Sequence, residues 1–134
     1  CLPILICNNA GTFVGVIHVG WRGLENGIIK KFISKFTQPK SLLCWIGPSI
    51  SPKYYLVRED VYRKLQSLSP DIFSQVDEEH WSLDLAKAAK IILKAQGVNK
   101  VFADKMCTFE NSNLYYSYRR KSNTGRIASL IWIE

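Results

Sequence analysis

The sequence predicts an α/β fold in which a mixed, twisted β-sheet is flanked by helices. Short β-rich runs alternate with amphipathic segments along 134 residues, and this alternation is typical of strands and helices that share one core. The length is that of one domain, and the hydrophobic share of 47% and charged share of 22% are those of an ordinary globular protein. We therefore expect residues 1–134 to form a single domain.

The first third of the chain predicts a hairpin followed by a helix. The β-rich runs 2–7 and 12–19 are separated by the turn-forming sequence NNAG, which favours an antiparallel pair of strands. A glycine-bracketed turn over 20–23 follows the second strand. Apolar residues then recur every third or fourth position over 24–36, which predicts one amphipathic helix that ends before Pro39.

The rest of the chain predicts two more helices and four more strands. One helix covers 59–68, and another is capped by Ser82, runs to Gln96 and stops at Gly97. Apolar and β-branched runs predict strands over 42–46, 98–103, 114–118 and 127–133.

Composition narrows the class of protein. Eighteen Lys and Arg residues against 11 Asp and Glu residues give a net charge of +7, which favours anionic partners. The longest apolar runs are far shorter than the roughly 20 residues that span a bilayer, so we expect a soluble chain without a membrane partner. The four cysteines form no CxxC pair, which indicates neither a disulfide framework nor a zinc ribbon and favours the cytoplasm.

The first residue carries information of its own. The chain begins at Cys1 and enters an apolar run directly, which predicts an N-terminally truncated fragment of a longer chain. A processed N-terminal nucleophile and a lipid-modified lipoprotein also begin with cysteine. A lipoprotein normally continues with a polar tether, whereas residues 2–6 resemble a core strand.

The predicted hairpin brings a cysteine and a histidine together. If the loop closes symmetrically about Asn9 and Ala10, the numbers of paired residues sum to 19 and Cys1 faces His18. A shift of one residue would place His18 on the opposite face. Such a pair offers two zinc ligands or a thiolate nucleophile with its base, and the alternative is a buried cysteine beside a hydrogen-bonded core histidine.

Two other residues near these motifs have open roles. His80, the only other histidine, follows an acidic segment, which favours a surface position over metal ligation. Arg22 lies in the GWRG turn that leads into the predicted helix, where an anion would meet unpaired backbone N–H groups and a planar guanidinium. The alternative for this turn is an ordinary connection with an exposed arginine.

A cluster of aromatic and basic residues lies near the C-terminus. It reads YYSYRRK and is followed by Gly125 and Arg126. Alternation along the predicted strand sends Arg119 and Arg120 to opposite faces, so that one lines a site while the other is solvated or structural. The mixture also suits single-stranded nucleic acid, but no recognisable nucleic-acid module accompanies it, and we expect no nucleic-acid partner.

Several motifs together resemble those of a known family. CLPILI, HVGWRGLENGI, WIGPSISPKYYLV, YYSYRR and TGRIASLIWI occur in an order that closely resembles the YfiH family, also called laccase-domain, multicopper polyphenol oxidase-like or peptidoglycan editing factor proteins. The resemblance covers essentially the whole chain and implies a YfiH-like fold related to the catalytic domains of bacterial toxin deamidases. It also implies that an upstream part of a longer protein, carrying one metal ligand, is missing.

The resemblance further implies a zinc-dependent purine nucleoside phosphorylase with adenosine deaminase and methylthioadenosine phosphorylase activity. Its partners would be small molecules, a purine nucleoside and phosphate. Cys1 and His18 match two family zinc ligands, and we expect Arg22 to act beside them in catalysis. Candidates for phosphate binding are the arginines of the two basic motifs: Arg22, Arg119, Arg120 and Arg126.

Other functions stay open from the sequence. Cys1 and His18 also suit a cysteine hydrolase or deamidase, and a non-catalytic interaction module is the simplest alternative. Polyphenol oxidase-like activity through copper is disfavoured, because two histidines and one methionine are too few for a multicopper centre. Leu56 stands where many family members carry a carboxylate, which leaves the preferred substrate undecided.

Overall fold

The computed structural model describes residues 1–134, which fold into two β-sheets with helices packed on them. The strands are β1 (Leu2–Asn8), β2 (Val14–Val19), β3 (Leu42–Ile46), β4 (Leu56–Arg58), β5 (Phe73–Gln75), β6 (His80–Leu83) and β7 (Lys100–Ala103). The α-helices are α1 (Trp21–Glu25), α2 (Ile28–Ile33), α3 (Glu59–Leu65) and α4 (Leu85–Ala95). None of these helices is long and apolar enough to span a bilayer.

The larger sheet is mixed, as predicted. Its strand order is β2-β1-β3-β7, with β1 antiparallel to both neighbours and β3 parallel to β7. Along β1, Ile4 and Ile6 are completely buried and alternate with half-buried residues, so one face of the sheet forms the core. Ile33 from α2 and Leu93 from α4 cover that face.

The β1–β2 hairpin has a wider turn than the sequence predicts. Cys7 pairs with Val14, so paired residue numbers sum to 21, and the predicted sum of 19 was wrong. The Asn8 side chain accounts for the difference, because its Oδ1 accepts hydrogen bonds from the backbone N–H groups of Thr12 and Phe13 at 2.9 and 3.1 Å. The turn therefore closes two residues later on the second strand.

This change of register keeps the predicted face. His18 pairs with Pro3, so the direct pairing of His18 with Cys1 was wrong. Because side chains alternate along a strand, a shift of two residues leaves Cys1 and His18 on the same side of the sheet. His18 lies between the buried Ile17 and Val19 and is exposed, which places it on the face opposite the core.

The single helix predicted over 24–36 was wrong, because the chain forms two short helices there. Gly27 separates them with a φ of +69°, a left-handed conformation that glycine adopts without steric cost. Ile29 and Ile33 of the second helix are buried, while Phe36 packs edge-on against Phe13 with ring centroids 4.8 Å apart.

A second, three-stranded antiparallel sheet has the order β4-β6-β5, and sequence reasoning missed it. Its strands have three or four residues, too few to show a period of two. His80 begins β6, a strand that the sequence analysis did not predict, and pairs with Arg58. Its ring nitrogen lies 2.9 Å from the carboxylate of the exposed Asp77.

The last thirty-one residues follow β7 without a helix or a strand. The strands predicted over 114–118 and 127–133 were therefore wrong. Their alternating pattern gives a strand tendency, but a strand also needs a neighbouring strand to pair with, and none of the strands in either sheet pairs with these residues. Leu130 and Trp132 are 71% and 70% exposed.

Helix α4 has a different N-cap from the predicted one. Ser82 lies within β6, and the Asp84 carboxylate instead accepts a hydrogen bond from the Lys87 backbone N–H at 2.8 Å. We expect Asp84→Ala to lower the free energy of unfolding by about 1 kcal/mol, because the cap satisfies an unpaired N–H group at the helix end. Urea denaturation measures this change. Ser82→Ala is the matched control, and a larger loss from Ser82→Ala would contradict the assignment.

Candidate active-site cavity

A cavity of about 630 Å³ opens at the end of the β1–β2 hairpin. Its walls come from the hairpin, the turn into α1, the loop after β3 and the irregular C-terminal segment. Five of the six residues predicted for the site line it: Cys1, His18, Arg22, Arg119 and Arg126. The structure thus brings together residues that are up to 125 positions apart in the sequence.

Cys1 and His18 approach the cavity from neighbouring strands. Both residues are exposed and occupy the same side of the sheet. Gly20 makes room for the thiol, because a Cβ atom at that position would lie 2.7 Å from Cys1 Sγ. The absence of a side chain at Gly20 therefore allows the thiol to reach this corner of the cavity.

Arg22 lies in α1 and faces the cavity from the turn that follows His18. Its guanidinium carbon lies 4.3 Å from the centre of the Trp21 ring, a cation–π contact that orients the side chain. Helix α1 has only five residues, so the predicted contribution of a helix N-terminus to anion binding is weak. Arg22 itself supplies the positive charge of this wall.

Arg119 lines the cavity from the irregular C-terminal segment. It donates a hydrogen bond to the Leu56 carbonyl oxygen at 2.9 Å, and its guanidinium carbon lies 4.9 Å from the centre of the Tyr55 ring. Burial raises the pKa of the Tyr55 phenol, while the charges of Arg119 and Arg22 act in the opposite direction. The Arg119 guanidinium therefore packs on the Tyr55 ring, and Arg22 lines the same cavity.

Arg120 does not line the cavity, although the sequence made it a candidate for phosphate binding. Its guanidinium donates hydrogen bonds to the carbonyl oxygens of Thr108, Phe109 and Tyr115 at 2.6 to 2.9 Å. The structure thus separates Arg119, which lines the cavity, from Arg120, which does not. A turn separates them rather than the alternation of a strand, since the Arg120 N–H donates to the carbonyl of Ser117.

The loop that carries these arginines is fastened to the loop after β3. The backbone N–H of Ser51 donates to Cys107 Sγ at 3.3 Å, and the Tyr54 and Phe109 rings stack with centroids 4.5 Å apart. Burial acts to raise the pKa of the Cys107 thiol, but hydrogen bonds, chiefly from Ser51, outweigh it and the pKa lies below its ordinary value. These contacts hold one wall of the cavity without regular secondary structure.

The cavity carries positive charge that no acidic residue balances. No Asp or Glu residue lines it, and none of the salt bridges in the structure involves Arg22, Arg119 or Arg126. Arg126 donates only to the nearby carbonyl oxygens of Thr124 and Gly125. An unbalanced cluster of guanidinium groups in a concave site favours an anionic ligand.

Sequence reasoning missed part of the lining. Tyr55, Thr108 and Ser117 contribute hydroxyl-bearing side chains, and all three residues are buried. Ser117 lies inside the YYSYRR motif, which points to it in retrospect, whereas Tyr55 and Thr108 carry no local signal of their position. Their role depends on how the loop after β3 meets the C-terminal segment, which is a tertiary feature.

Comparison with known proteins decides the family. A family model described as multi-copper polyphenol oxidoreductase laccase matches residues 1–134. The chain belongs to this family. Within this laccase-domain family, it is 36% identical over 137 residues to a protein of Escherichia coli strain K12 named purine nucleoside phosphorylase YfiH. The match covers 99% of this chain and 56% of that relative.

Three further proteins are similar to this chain over most or all of its length. A purine nucleoside phosphorylase of Pseudomonas aeruginosa is 36% identical over 139 residues, covering 100% of this chain and 57% of the relative. The crystal structure of Neisseria meningitidis protein NMB0706 superposes with a TM-score of 0.94 at 36% identity, covering 100% of this chain and 57% of that one. YlmD from Geobacillus stearothermophilus gives 0.86 at 28% identity, covering 92% and 50%.

These comparisons confirm the YfiH-like fold, while the predicted relation to toxin deamidases stays a prediction. The chain spans a little more than half the length of the curated relatives that it matches. The likeness therefore covers only part of each relative.

The metal ligands expected in this laccase-domain chain, Cys1 and His18, are of types that zinc prefers, but they are fewer than a catalytic zinc needs. A thiolate and an imidazole are preferred zinc ligands, and Cys1 and His18 share a face at the cavity. A catalytic zinc needs three protein ligands, and no group of three His, Cys, Asp or Glu residues that could hold a metal ion exists in these 134 residues. A copper centre fits less well, since His80 lies outside the cavity lining.

Proposed function

We propose that the protein is a purine nucleoside phosphorylase, which transfers the ribosyl group of a purine nucleoside to inorganic phosphate. The observation that carries this proposal is a cavity of about 630 Å³ with three arginines, no carboxylate and several aromatic side chains. Its size lies in the range of small-molecule sites. Guanidinium groups suit phosphate, and the exposed ring of Tyr118 suits stacking with a purine ring.

The chemistry of phosphorolysis uses both features. A phosphate oxygen forms a bond to C1′ of the ribose as the bond from C1′ to the base nitrogen breaks, and that electron pair leaves with the purine, which then takes up a proton. The arginines bind the phosphate dianion, and their positive charge offsets the free-energy cost of removing it from water. They also favour the negative charge that develops on the departing base.

We further propose that Cys1 and His18 hold zinc, with a third ligand from a residue outside these 134. Zinc supplies Lewis-acid activation of a water oxygen when bound, which is the chemistry that deamination of adenosine requires. Adenosine deaminase and methylthioadenosine phosphorylase activities belong to this proposal. Support comes from the donor types and their shared face at the cavity.

The release of hypoxanthine from inosine, followed by chromatography with and without inorganic phosphate, tests the proposed reaction. We expect base release that depends on phosphate and yields ribose 1-phosphate in equal amount. Arg63→Gln is a matched control for loss of a positive charge, because Arg63 pairs with Glu59 outside the cavity. Base release at the same rate without phosphate, or activity only on other substrate classes, would contradict the proposal.

A cysteine hydrolase is the second candidate, because an exposed thiol and an exposed imidazole share one face of the hairpin. Chelation and alkylation separate the two candidates. Activity that a chelator removes and zinc restores supports the zinc proposal. Activity that persists without metal but is lost after treatment with iodoacetamide supports a Cys1 nucleophile.

A further inference from the structure

Three buried hydroxyl-bearing residues line the cavity without a hydrogen bond from their side chains to the protein. Tyr55 is 6% exposed, and Thr108 and Ser117 are each 8% exposed. Every side-chain nitrogen or oxygen that is fully buried in the structure has a partner, so unpartnered hydroxyls must reach accessible space. The cavity is a space that all three residues line.

Tyr55 combines this free hydroxyl with two positive charges. The Arg119 guanidinium lies over its ring, and the charges of both Arg119 and Arg22 act on its phenol. The Arg119 guanidinium donates one hydrogen bond within the protein, to the Leu56 carbonyl oxygen. Its other N–H groups remain available to a ligand. The Arg22 side chain donates no hydrogen bond to the protein, and its guanidinium packs on the Trp21 ring.

The remaining arginines are engaged differently. Arg126 donates to two carbonyl oxygens of its own segment and lies 5.8 Å from the centre of the Tyr118 ring. The guanidinium of Arg120, which is outside the cavity lining, donates hydrogen bonds to three backbone carbonyl oxygens. Free donors and positive charge therefore coincide at the corner formed by Tyr55, Arg22 and Arg119.

We propose that the guanidinium groups of Arg22 and Arg119 and the hydroxyl of Tyr55 form the phosphate subsite of this cavity. The proposal rests on the proposed phosphorylase function and names the residues that bind its inorganic substrate. Each guanidinium donates N–H groups to phosphate oxygens, and the Tyr55 O–H donates a further hydrogen bond. Burial of the tyrosine and the packing of Arg119 on its ring hold the ring in place before phosphate arrives.

Phosphate binding to the whole chain tests the subsite directly. Calorimetric titration with inorganic phosphate at constant ionic strength gives the affinity, and thermal denaturation with and without phosphate gives an independent readout. We expect Tyr55→Phe to weaken binding by about 10- to 100-fold, the effect of one hydrogen bond to a charged group. Arg22→Gln and Arg119→Gln each remove a charge and are expected to weaken binding by at least about 10-fold.

Two matched controls isolate the subsite. Tyr54→Phe removes the neighbouring hydroxyl, which bonds to Glu110 at 3.1 Å outside the cavity lining, and Arg63→Gln removes an arginine charge that pairs with Glu59 outside the lining. We expect both variants to bind phosphate within about twofold of the wild-type protein. If an arginine variant fails to fold by circular dichroism, Tyr55→Phe still decides the outcome, because it removes only one oxygen atom.

The outcomes separate this inference from the reaction itself. Wild-type affinity weaker than about 10 mM, or equal losses in Arg63→Gln and Arg119→Gln, would overturn the subsite. Phosphorolysis whose KM for phosphate is unchanged in Tyr55→Phe would also overturn the subsite and leave the phosphorylase function standing. Phosphate binding that Tyr55→Phe weakens, in a protein that cleaves no nucleoside, would support the subsite and overturn the reaction.

Discussion

Arg120→Ala is expected to lower the free energy of unfolding by about 3 kcal/mol, because it removes charge-assisted hydrogen bonds and leaves their acceptors without partners. The guanidinium donates to three backbone carbonyls, those of Thr108, Phe109 and Tyr115, within a segment that has no helix or strand to hold it. Arg120→Lys is expected to recover less than half of the loss, since one ammonium group cannot match the planar fork. Urea denaturation followed by circular dichroism measures each change.

The control for this prediction is Arg126→Ala. Arg126 is exposed and bonds only to carbonyls one and two residues away, so we expect a change within about 0.5 kcal/mol. Stability of Arg120→Ala within the same margin would contradict a structural role for Arg120. A loss of phosphate binding without a loss of stability would instead return Arg120 to the ligand-binding residues.

His18→Ala is expected to weaken Zn²⁺ binding by at least about 100-fold, because the loss of groups that merely orient a metal ligand already costs 10- to 100-fold. The substitution removes one of the two donors that this chain places at the cavity. Competition with Co²⁺ provides a spectroscopic readout besides activity. Cys1→Ser is expected to abolish the thiolate-to-cobalt charge-transfer absorption.

His80→Ala is the matched control for the metal prediction. His80 lies outside the cavity lining, and its ring pairs with Asp77. We expect Zn²⁺ affinity within about twofold of the wild-type value for this variant. Metal binding that depends on His80, or that survives both Cys1→Ser and His18→Ala, would contradict the ligand assignment.

The hairpin shows which structural features can be predicted from local sequence and which cannot. Alternation of side chains predicted the face that His18 occupies, because a period of two survives a register shift of two residues. The register itself depends on the Asn8 side chain, whose hydrogen bonds to Thr12 and Phe13 widen the turn. A turn closed by side-chain bonds is not specified by the apolar pattern of the strands.

Other errors have equally local causes. The apolar period over 24–36 continues across Gly27, so the pattern predicted one helix while the left-handed glycine makes two. The last strand, β7, ends at Ala103. The later YYSYRR motif forms a turn, although its alternation of side chains is typical of a strand. In both places backbone conformation, rather than side-chain polarity, determines the structure.

The candidate site could be predicted only in part. The resemblance to a family singled out Cys1, His18 and the arginines, and five of the six predicted residues line one cavity. The separate position of Arg120 depends on three carbonyls that come together only after folding. Tyr55 was missed for the same reason, because only the folded structure brings it into the cavity beside Arg22 and Arg119.

A crystal structure of the protein soaked with hypoxanthine and ribose 1-phosphate, the products of inosine phosphorolysis, tests most directly whether this cavity is the active site. We expect the phosphate group between the guanidinium groups of Arg22 and Arg119, within hydrogen-bond distance of the Tyr55 hydroxyl. We also expect the base in the same cavity, on its aromatic wall. Ligand density outside the cavity, or phosphate bound at Arg126 with Tyr55 free, would contradict this assignment.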